Sequence, residues 1–418
     1  MAKQTTRPAR LTAAATDGGA LMLAGFKPLG AKQSEAGALR NALVYLGMTA
    51  PHTGQPFSEA VLFGIGASYF TFEYKQQGIT TLFIGTRVAA GPEFSSTTCE
   101  RIGFKPKVRS ASSVAAAEKN LKQALAQGKP IVLWVSLIGP PYFYPFNGEY
   151  HTAVAYGFDE AGDKVYLAAR STKPLVLSRA HLAAATQIDG LPKRQSLLIE
   201  ASGPISGAGL KKAVKQGIQD CCTQMIEGPN LGGFKSNFGL QGLAKWADLS
   251  TNPRDRKGWP TMYADHPKLF SAMLGVYTMI ERRGPGGGAF RPLYADFLDE
   301  AGKVLEKPNL SDVADQYRES AKLWKKLANT ILPDSVPVFK EMKQLAQEQD
   351  ALLDKKGAEA IDDLENLHAA QEQLKAKVEK SFPLSEAEVK DLLANLRDRV
   401  LAIHAAEEKA VAALQKAI

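Results

Sequence analysis

The sequence predicts an α+β fold in its first half, followed by a mostly helical second half and a long C-terminal helical hairpin. Three observations lead to this prediction. A helical pattern and then several β-type runs follow one another between residues 34 and 200. Apolar residues recur mainly at helical spacing beyond residue 209. The chain beyond residue 338 is rich in Ala, Leu, Glu and Lys, which favours long helices.

The first predicted helix begins at Ser34 and ends before Gly47, because the apolar residues between them recur every three or four positions. Two further helices are predicted, over 58–63 with Gly64 as its end and over 112–127. The Asp and Gly residues of 159–163 predict the turn of a hairpin. The β-type runs are Ile131–Leu137, Thr152–Tyr156, Val165–Ala168 and Leu197–Ile199.

A glycine- and serine-rich segment, residues 201–209, predicts a linker between two domains. Beyond it, helices are predicted from Lys211 onward, and Ser385 with Glu388 forms a capping-box pattern before the last one. The sequence therefore predicts a flexible tail (1–29), a first domain (30–200), the linker (201–209), a helical accessory domain (210–333) and a helical hairpin (334–418).

Composition narrows the class of protein. The 418 residues are 45% hydrophobic and 22% charged, which is ordinary for a globular chain. Cys99, Cys221 and Cys222 form no C-x-x-C motif or Cys/His cluster, so we expect free thiols, no metal site and no cofactor. The sequence contains no apolar stretch of membrane-spanning length. We therefore expect a cytoplasmic protein that does not bind a membrane.

Charge is distributed unevenly along the chain. Residues 1–333 carry 39 Lys and Arg against 26 Asp and Glu, a net charge of +13, whereas residues 334–418 carry −5. A basic body suits an acidic partner or substrate. The sequence has no dense Lys/Arg run or nucleic-acid-binding motif, so nucleic acid is not the expected partner.

Several segments resemble, in the right order, the family of acyltransferases related to butirosin biosynthesis protein H. They are Lys32–Gly47, Ser58–Gly66, Ile84–Val88, Glu149–Asp159 and Phe290–Leu298. The resemblance covers about residues 30–330. It implies a papain-like first domain and the helical domain of unknown function that accompanies it. It also implies transfer of an acyl or aminoacyl group from a carrier-protein thioester to a small-molecule amine acceptor.

The same resemblance implies a catalytic set. In papain-like folds, a nucleophile at a helix start, a His on a later strand and an orienting Asp or Asn on the next strand act together. Ser34 and His151 occupy the first two positions, but Ser34 replaces the family's Cys and Ala169 replaces its Asp. Ser34 is therefore either a nucleophile or a plain helix cap. Asp159, Asp163 or Ser171 could replace the missing carboxylate.

Weaker candidates for substrate binding are Arg87, Arg291 and Tyr144. Each arginine follows a glycine-containing loop, 284–288 in the case of Arg291, and could bind a carboxylate or phosphate. The alternative for Arg291 is an interdomain salt bridge. Tyr144 belongs to an aromatic loop before His151, which either walls a pocket or covers the sheet edge.

Three functions follow from these residues. The first is an acyltransferase-like enzyme of a biosynthetic pathway that meets an acidic acyl carrier protein. The second is a catalytically degenerate papain-like scaffold that acts as a binding or accessory protein. The third is a peptidase or amidase. The sequence leaves the oligomeric state open, including a homo-oligomer.

Overall fold

The computed structural model describes residues 13–15, 20–66, 75–77, 81–85, 92–136, 142, 150–188, 191–200, 205–229, 232–282 and 287–418. Its strands are β1 (Ala13–Ala15), β2 (Leu21–Leu23), β3 (Lys75–Gln77), β4 (Thr81–Phe83), β5 (Lys105–Arg109), β6 (Ile131–Ser136), β7 (Tyr150–Asp159), β8 (Lys164–Ala168), β9 (Leu175–Leu177) and β10 (Ser196–Glu200).

The helices of the first half are α1 (Ser34–Tyr45), α2 (Glu59–Ile65), α3 (Glu93–Arg101), α4 (Val114–Ala126) and α5 (Arg179–Ala185). Those of the second half are α6 (Gly207–Ile226), α7 (Gly239–Thr251), α8 (Trp259–Met262), α9 (His266–Tyr277), α10 (Arg291–Leu305), α11 (Leu310–Ile331), α12 (Pro337–Lys356), α13 (Ile361–Lys380) and α14 (Glu386–Ala417). The described chain is therefore mixed α and β with long C-terminal helices, as the sequence predicts. The predicted two-helix hairpin over 334–418 is instead three helices, because a turn at Gly357, with φ of +58°, separates α12 from α13.

Two compact units interleave along the chain. The described residues of Met1–Ser58, Ala90–Gly207 and Leu353–Ile361 form the first unit. Those of Glu59–Ala89, Ala208–Leu352 and Asp362–Ile418 form the second. The segment that follows Ser58 thus belongs to the helical unit, although it precedes most of the sheet in sequence.

An antiparallel sheet forms the centre of the first unit. Its strand order is β1-β2-β7-β6-β10-β5, and β8 pairs with both β7 and β9. The hairpin predicted at 159–163 is confirmed, because Asp159 pairs with Lys164 and accepts a hydrogen bond from the Gly162 N–H at 2.8 Å. Residues 13–15 and 21–23, assigned to a tail from sequence, pair as β1 and β2.

Strand β5 was not predicted, and its sequence explains why. Its residues are Lys-Pro-Lys-Val-Arg, with no apolar alternation. Within the described sheet β5 pairs with β10 alone, so one of its edges takes no part in the ladder. Proline and lysine are tolerated on such an edge strand, where they also discourage pairing with other chains.

Helices α7, α9, α11 and α14 contribute to the core of the second unit. Trp246, Trp324 and Ile331 are fully buried there, together with Val400 and Ile403 of α14. The predicted capping box starts α14: Ser385 accepts from the Glu388 N–H, and the Glu388 carboxylate accepts from the Ser385 N–H. The C-terminal helices therefore share one core with the helices that precede them.

Two predicted boundaries are wrong. Gly64 does not end α2 but lies inside it, because a Cβ there would collide with the Phe297 ring. Gly217 of α6 in turn approaches the Gly64 carbonyl closely. The predicted linker also extends too far, since α6 already begins at Gly207.

None of the described helices combines the length and the apolar character needed to cross a membrane. The described residues likewise contain no group of three or more His, Cys, Asp or Glu side chains arranged to hold a metal ion.

Candidate functional site

Ser34 is the first residue of α1, as the sequence predicts, but it is not the helix cap. Gln33 takes that position, with extended backbone and a side-chain oxygen that accepts from the Ala36 N–H at 2.7 Å. The alternative interpretation of Ser34 as the capping residue is therefore wrong, because the longer Gln33 amide already binds the free N–H group. Ser34 lies in the first turn, where backbone N–H groups concentrate partial positive charge.

The start of α1 is fixed to the sheet by Glu35. This carboxylate is fully buried, and its Oε1 accepts from the Trp134 indole N–H at 3.2 Å. Trp134 lies on β6 directly opposite Thr152 of β7, and α1 packs against both strands. Sequence reasoning missed this anchor. The available signal was an acidic residue within an otherwise small and apolar helix start.

His151 lies on β7 beside this anchor, opposite Val135 in the β6–β7 ladder. Opposed residues share a face and successive pairs alternate. The register therefore places His151 and Val135 on one face, and Trp134 and Thr152 on the face that contacts α1. His151 is therefore next to Thr152 on β7, but the register directs its ring to the face of the sheet opposite α1.

The segment before α1 also meets the strand that follows β7. The Ala31 N–H donates to the Arg170 carbonyl at 2.9 Å, and Asn41 of α1 accepts from the Leu29 N–H at 2.9 Å. Gly30 has φ +70°, and a Cβ there would lie 2.9 Å from the Arg170 carbonyl oxygen. Only glycine allows this close approach, which holds the α1 lead-in against the chain that follows β8.

The chemistry of His151 is set by its surroundings. The residue is half-buried, but its Nε2 is inaccessible to solvent. Burial of the imidazole, and secondly the positive charge of Arg170, lowers the pKa of His151 to about 3. The ring is therefore neutral at physiological pH. That form can accept a proton, but a base of such low pKa holds it weakly.

Ala169 lies one residue beyond the end of β8 and is buried. The last pair of the β7–β8 ladder is Ala168 with Val154, three positions from His151. A carboxylate at position 169 would be a diagonal neighbour of the imidazole only if the chain kept this register for one more residue.

Asp159, Asp163 and Ser171, the three residues proposed to replace that carboxylate, lie at different distances from His151. Asp159 lies eight residues beyond His151 on β7, about 26 Å along the strand, and Asp163 lies in the same turn. Neither can orient His151, so that expectation is wrong for both. Ser171 accepts from the Lys173 N–H at 2.9 Å and bonds to the Asp354 carbonyl at 3.5 Å.

The lowered pKa of His151 predicts a pH-dependent stability. In the unfolded chain the imidazole titrates near 6.5, so the unfolded state binds more protons between pH 6.5 and about 3. Stability should fall as pH falls through this window, by about 2 kcal/mol between pH 7.5 and 5. His151→Gln should lose this part of the decline, measured by urea unfolding across pH. The matched control His181→Gln, at an exposed position, should retain it. Identical pH profiles for wild type and His151→Gln would contradict the prediction.

Arg291 begins α10 and is almost completely buried. Its Nε and Nη2 donate to the two carboxylate oxygens of Glu407, each at 2.8 Å, and Nη1 donates to the Ala289 carbonyl at 2.8 Å. The guanidinium also lies over the Trp324 ring, 4.8 Å from its centre. The salt-bridge alternative for Arg291 is therefore confirmed, but its predicted interdomain character is wrong, because Arg291 and Glu407 belong to the same unit.

The glycine loop before Arg291 is described only in part. Gly287 and Gly288 have φ of +64° and +65°, which explains glycine at both positions. Ala289 and Phe290 also have positive φ, at 52° and 63°. Residues 284–286 of this loop, Arg87 and Tyr144 lie outside the described residues.

The chain is thus an α+β protein in two parts. In the first part, α1 has a hydroxyl residue in its first turn and packs on the strand that carries His151, and the second part is helical. Two families match the chain in tandem. "Butirosin biosynthesis protein H, N-terminal" matches residues 33–169, and "Domain of unknown function (DUF4872)" matches residues 180–364. The chain belongs to the butirosin biosynthesis protein H-like family that joins these two domains. No curated protein matched it.

Proposed function

We propose that this protein is an acyltransferase-like member of a biosynthetic pathway, with a papain-like first domain. It moves an acyl or aminoacyl group from a carrier thioester to an amine. The observation that carries the proposal is the tandem family match, whose first segment begins one residue before Ser34 and includes the whole of β7. Helix α1 also packs on β6 and β7, so Ser34 and His151 belong to elements that touch, although the register turns His151 to the face opposite α1.

The proposed reaction uses Ser34 as the acyl acceptor. Its Oγ attacks the thioester carbonyl carbon, the C–S bond breaks, and the carrier thiol leaves with the hydroxyl proton, transferred through His151. The amine then attacks the Ser34 ester, which forms the amide and returns the proton to the serine oxygen. N–H groups of the first turn of α1 stabilise the oxyanion. Alternatively, the amine attacks the thioester directly while His151 accepts its proton.

A second candidate function, a catalytically degenerate scaffold that binds without turnover, is favoured by specific observations. The imidazole is neutral with a pKa of about 3, and Ala169 stands where a carboxylate would orient it. The sheet register also directs His151 away from the face that holds Glu35. These features weaken general-base catalysis and leave the binding surface of the domain intact.

Thiol release from a panel of acyl and aminoacyl thioesters, with and without a panel of amines, separates these functions. We expect amine-dependent release in wild type, and a loss of at least about 100-fold in Ser34→Ala and His151→Gln. Ser381→Ala, an exposed serine of the second unit, should retain full activity. One equivalent of thiol released without an amine is the acylation of Ser34, whereas continued release without an amine would indicate hydrolysis, as by a peptidase or amidase. Binding without release, unchanged by both variants, would favour the scaffold.

The charge distribution supports an acidic carrier protein as the partner, docked on the basic body rather than on the C-terminal helices. Opposite charges accelerate encounter, and salt screens them beyond about 8 Å at physiological ionic strength. We expect a weak complex whose affinity falls as salt rises. An affinity for an acidic carrier protein that does not change with salt would contradict this docking.

Deleting the C-terminal helices is unsuitable as a test because α14 contributes to the core. Charge reversal of exposed lysines gives matched variants with the same change in net charge. Four lysine-to-glutamate changes in residues 1–333 should weaken binding more than four such changes in residues 334–418. The first set is Lys119, Lys193, Lys212 and Lys215, and the second set is Lys340, Lys355, Lys390 and Lys409. Equal weakening by the two sets would place the docking surface elsewhere.

A further inference from the structure

A cavity in the first unit lies on the sheet face that the register assigns to His151, and its wall residue Leu133 pairs with Ala153, two positions from His151. It is bounded by α4, α5 and one face of the sheet, and it encloses about 530 Å³ of empty space, part of it open to solvent. Phe158 on its wall is seven residues from His151 on β7, about 23 Å along the strand. Its apolar wall is formed mainly by Leu121, Ile131, Leu133, Phe158, Val165 and Leu182. Its mainly apolar lining with a few polar groups is typical of small-molecule sites.

Three charged residues line this cavity, and two of them neutralise each other. Arg179 donates through Nε and Nη2 to both oxygens of Glu118, each at 2.9 Å. The Arg179 guanidinium also lies 5.6 Å from the centre of the Phe158 ring. This bidentate pair forms one wall of the cavity, and its two charges cancel each other.

Arg194 supplies the remaining charge. Its Nη1 and Nη2 make only long hydrogen bonds, 3.4 Å each, to the Ser112 carbonyl and the Gln187 side chain. Its Nε has no hydrogen-bond partner among the described residues. The backbone of Arg194 has φ +51°, an unfavourable value for a residue with a Cβ. The structure thus holds an incompletely bonded guanidinium at the edge of a cavity whose wall is mainly apolar.

We propose that this cavity binds an apolar chain with an anionic head, a carboxylate or a phosphate, which Arg194 recognises. The chain would lie against the Phe158 and Leu133 wall, and the head would replace the long hydrogen bonds of Arg194 with shorter, charge-assisted ones. The Arg179–Glu118 pair remains intact, because the proposed head contacts Arg194 and not this pair. This site does not depend on the acyl-transfer proposal, since it shares none of the residues Ser34, His151 and Ala169.

The test is calorimetric titration of the full-length protein with decanoate, decyl phosphate and decan-1-ol. We expect at least one anion to bind tenfold or more tightly than the alcohol, and Arg194→Gln to remove that preference while alcohol binding stays within about twofold. Arg254→Gln, an exposed arginine of the second unit, is the matched control and should change nothing. Ala117→Phe, which fills the cavity, should weaken all three ligands.

Two results would overturn the proposal. One is equal affinity of wild type for the anions and the alcohol, which needs no variant and therefore does not depend on how Arg194→Gln folds. The other is anion binding that survives both Arg194→Gln and Ala117→Phe. The tighter of the two anions distinguishes a carboxylate ligand from a phosphate ester.

Discussion

Replacing Glu407 with leucine is expected to destabilise the protein by about 3–5 kcal/mol, because it leaves the Arg291 charge buried without its partner. Glu407 is fully buried and accepts four hydrogen bonds. Two come from Arg291 at 2.8 Å, one from the Ser320 hydroxyl at 2.8 Å and one from the Trp324 indole at 2.7 Å. Urea unfolding followed by tryptophan fluorescence measures the loss.

Two controls identify the buried charge as the cause. Glu319 pairs with Lys322 at 2.6 Å, but both side chains are about two-thirds exposed, so Glu319→Leu should change stability by less than about 1 kcal/mol. The double variant Arg291→Met with Glu407→Leu should recover part of the loss, since it removes both charges together. Similar losses in Glu407→Leu and Glu319→Leu would show that burial of the pair is unimportant.

Elements whose signals are local could be predicted from the sequence. The apolar spacing after Ser34 predicts α1, and the Asp- and Gly-containing turn at 159–163 predicts the β7–β8 hairpin. The Ser385 capping box likewise marks the start of α14. Each of these depends on residues a few positions apart, which a single sequence displays directly.

Features that depend on distant partners could not be predicted. Strand β10 pairs between β5 and β6, and nothing in its own residues indicates that order. Gly64 looks like a helix end until Phe297 packs on it. The partner of Arg291 is 116 positions away, and the sequence offers no reason to choose Glu407 among the acidic residues of the C-terminal helices.

The candidate site divides in the same way. Ser34 and His151 could be named from the order of elements and the family resemblance. The Glu35–Trp134 bond and the effect of Arg170 on His151 could not, because both depend on how α1 and the chain after β8 meet the sheet. Burial of the imidazole, and secondly the charge of Arg170, lowers the pKa of His151 and so decides its protonation state.

Restoring the two residues that the family usually has should increase thioester turnover by about tenfold or more. In Ser34→Cys with Ala169→Asp, the cysteine provides a better nucleophile, because a thiol ionises far more readily than a hydroxyl. The new carboxylate follows the end of β8 by one residue, and there it should raise the pKa of the His151 imidazole from about 3 by stabilising its protonated form. Thiol release and NMR titration of the His151 ring measure the two effects.

The charge and the nucleophile can be separated by matched variants. Ser34→Cys with Ala169→Asn has the same shape without the charge, and it should neither raise the His151 pKa nor reach the same turnover. Adding His151→Gln to the Cys/Asp variant should remove the gain, because the base is then absent.

Circular dichroism must show that each variant is folded, since Ala169 is buried and a carboxylate there needs a partner. The Cys/Asp variant could be folded, have a raised His151 pKa and still show no turnover. That result would mean that the sheet register keeps base and nucleophile apart, because it turns His151 away from the face that holds Glu35. In that case the domain functions as a binding scaffold, and catalysis cannot be restored by the identity of these side chains alone.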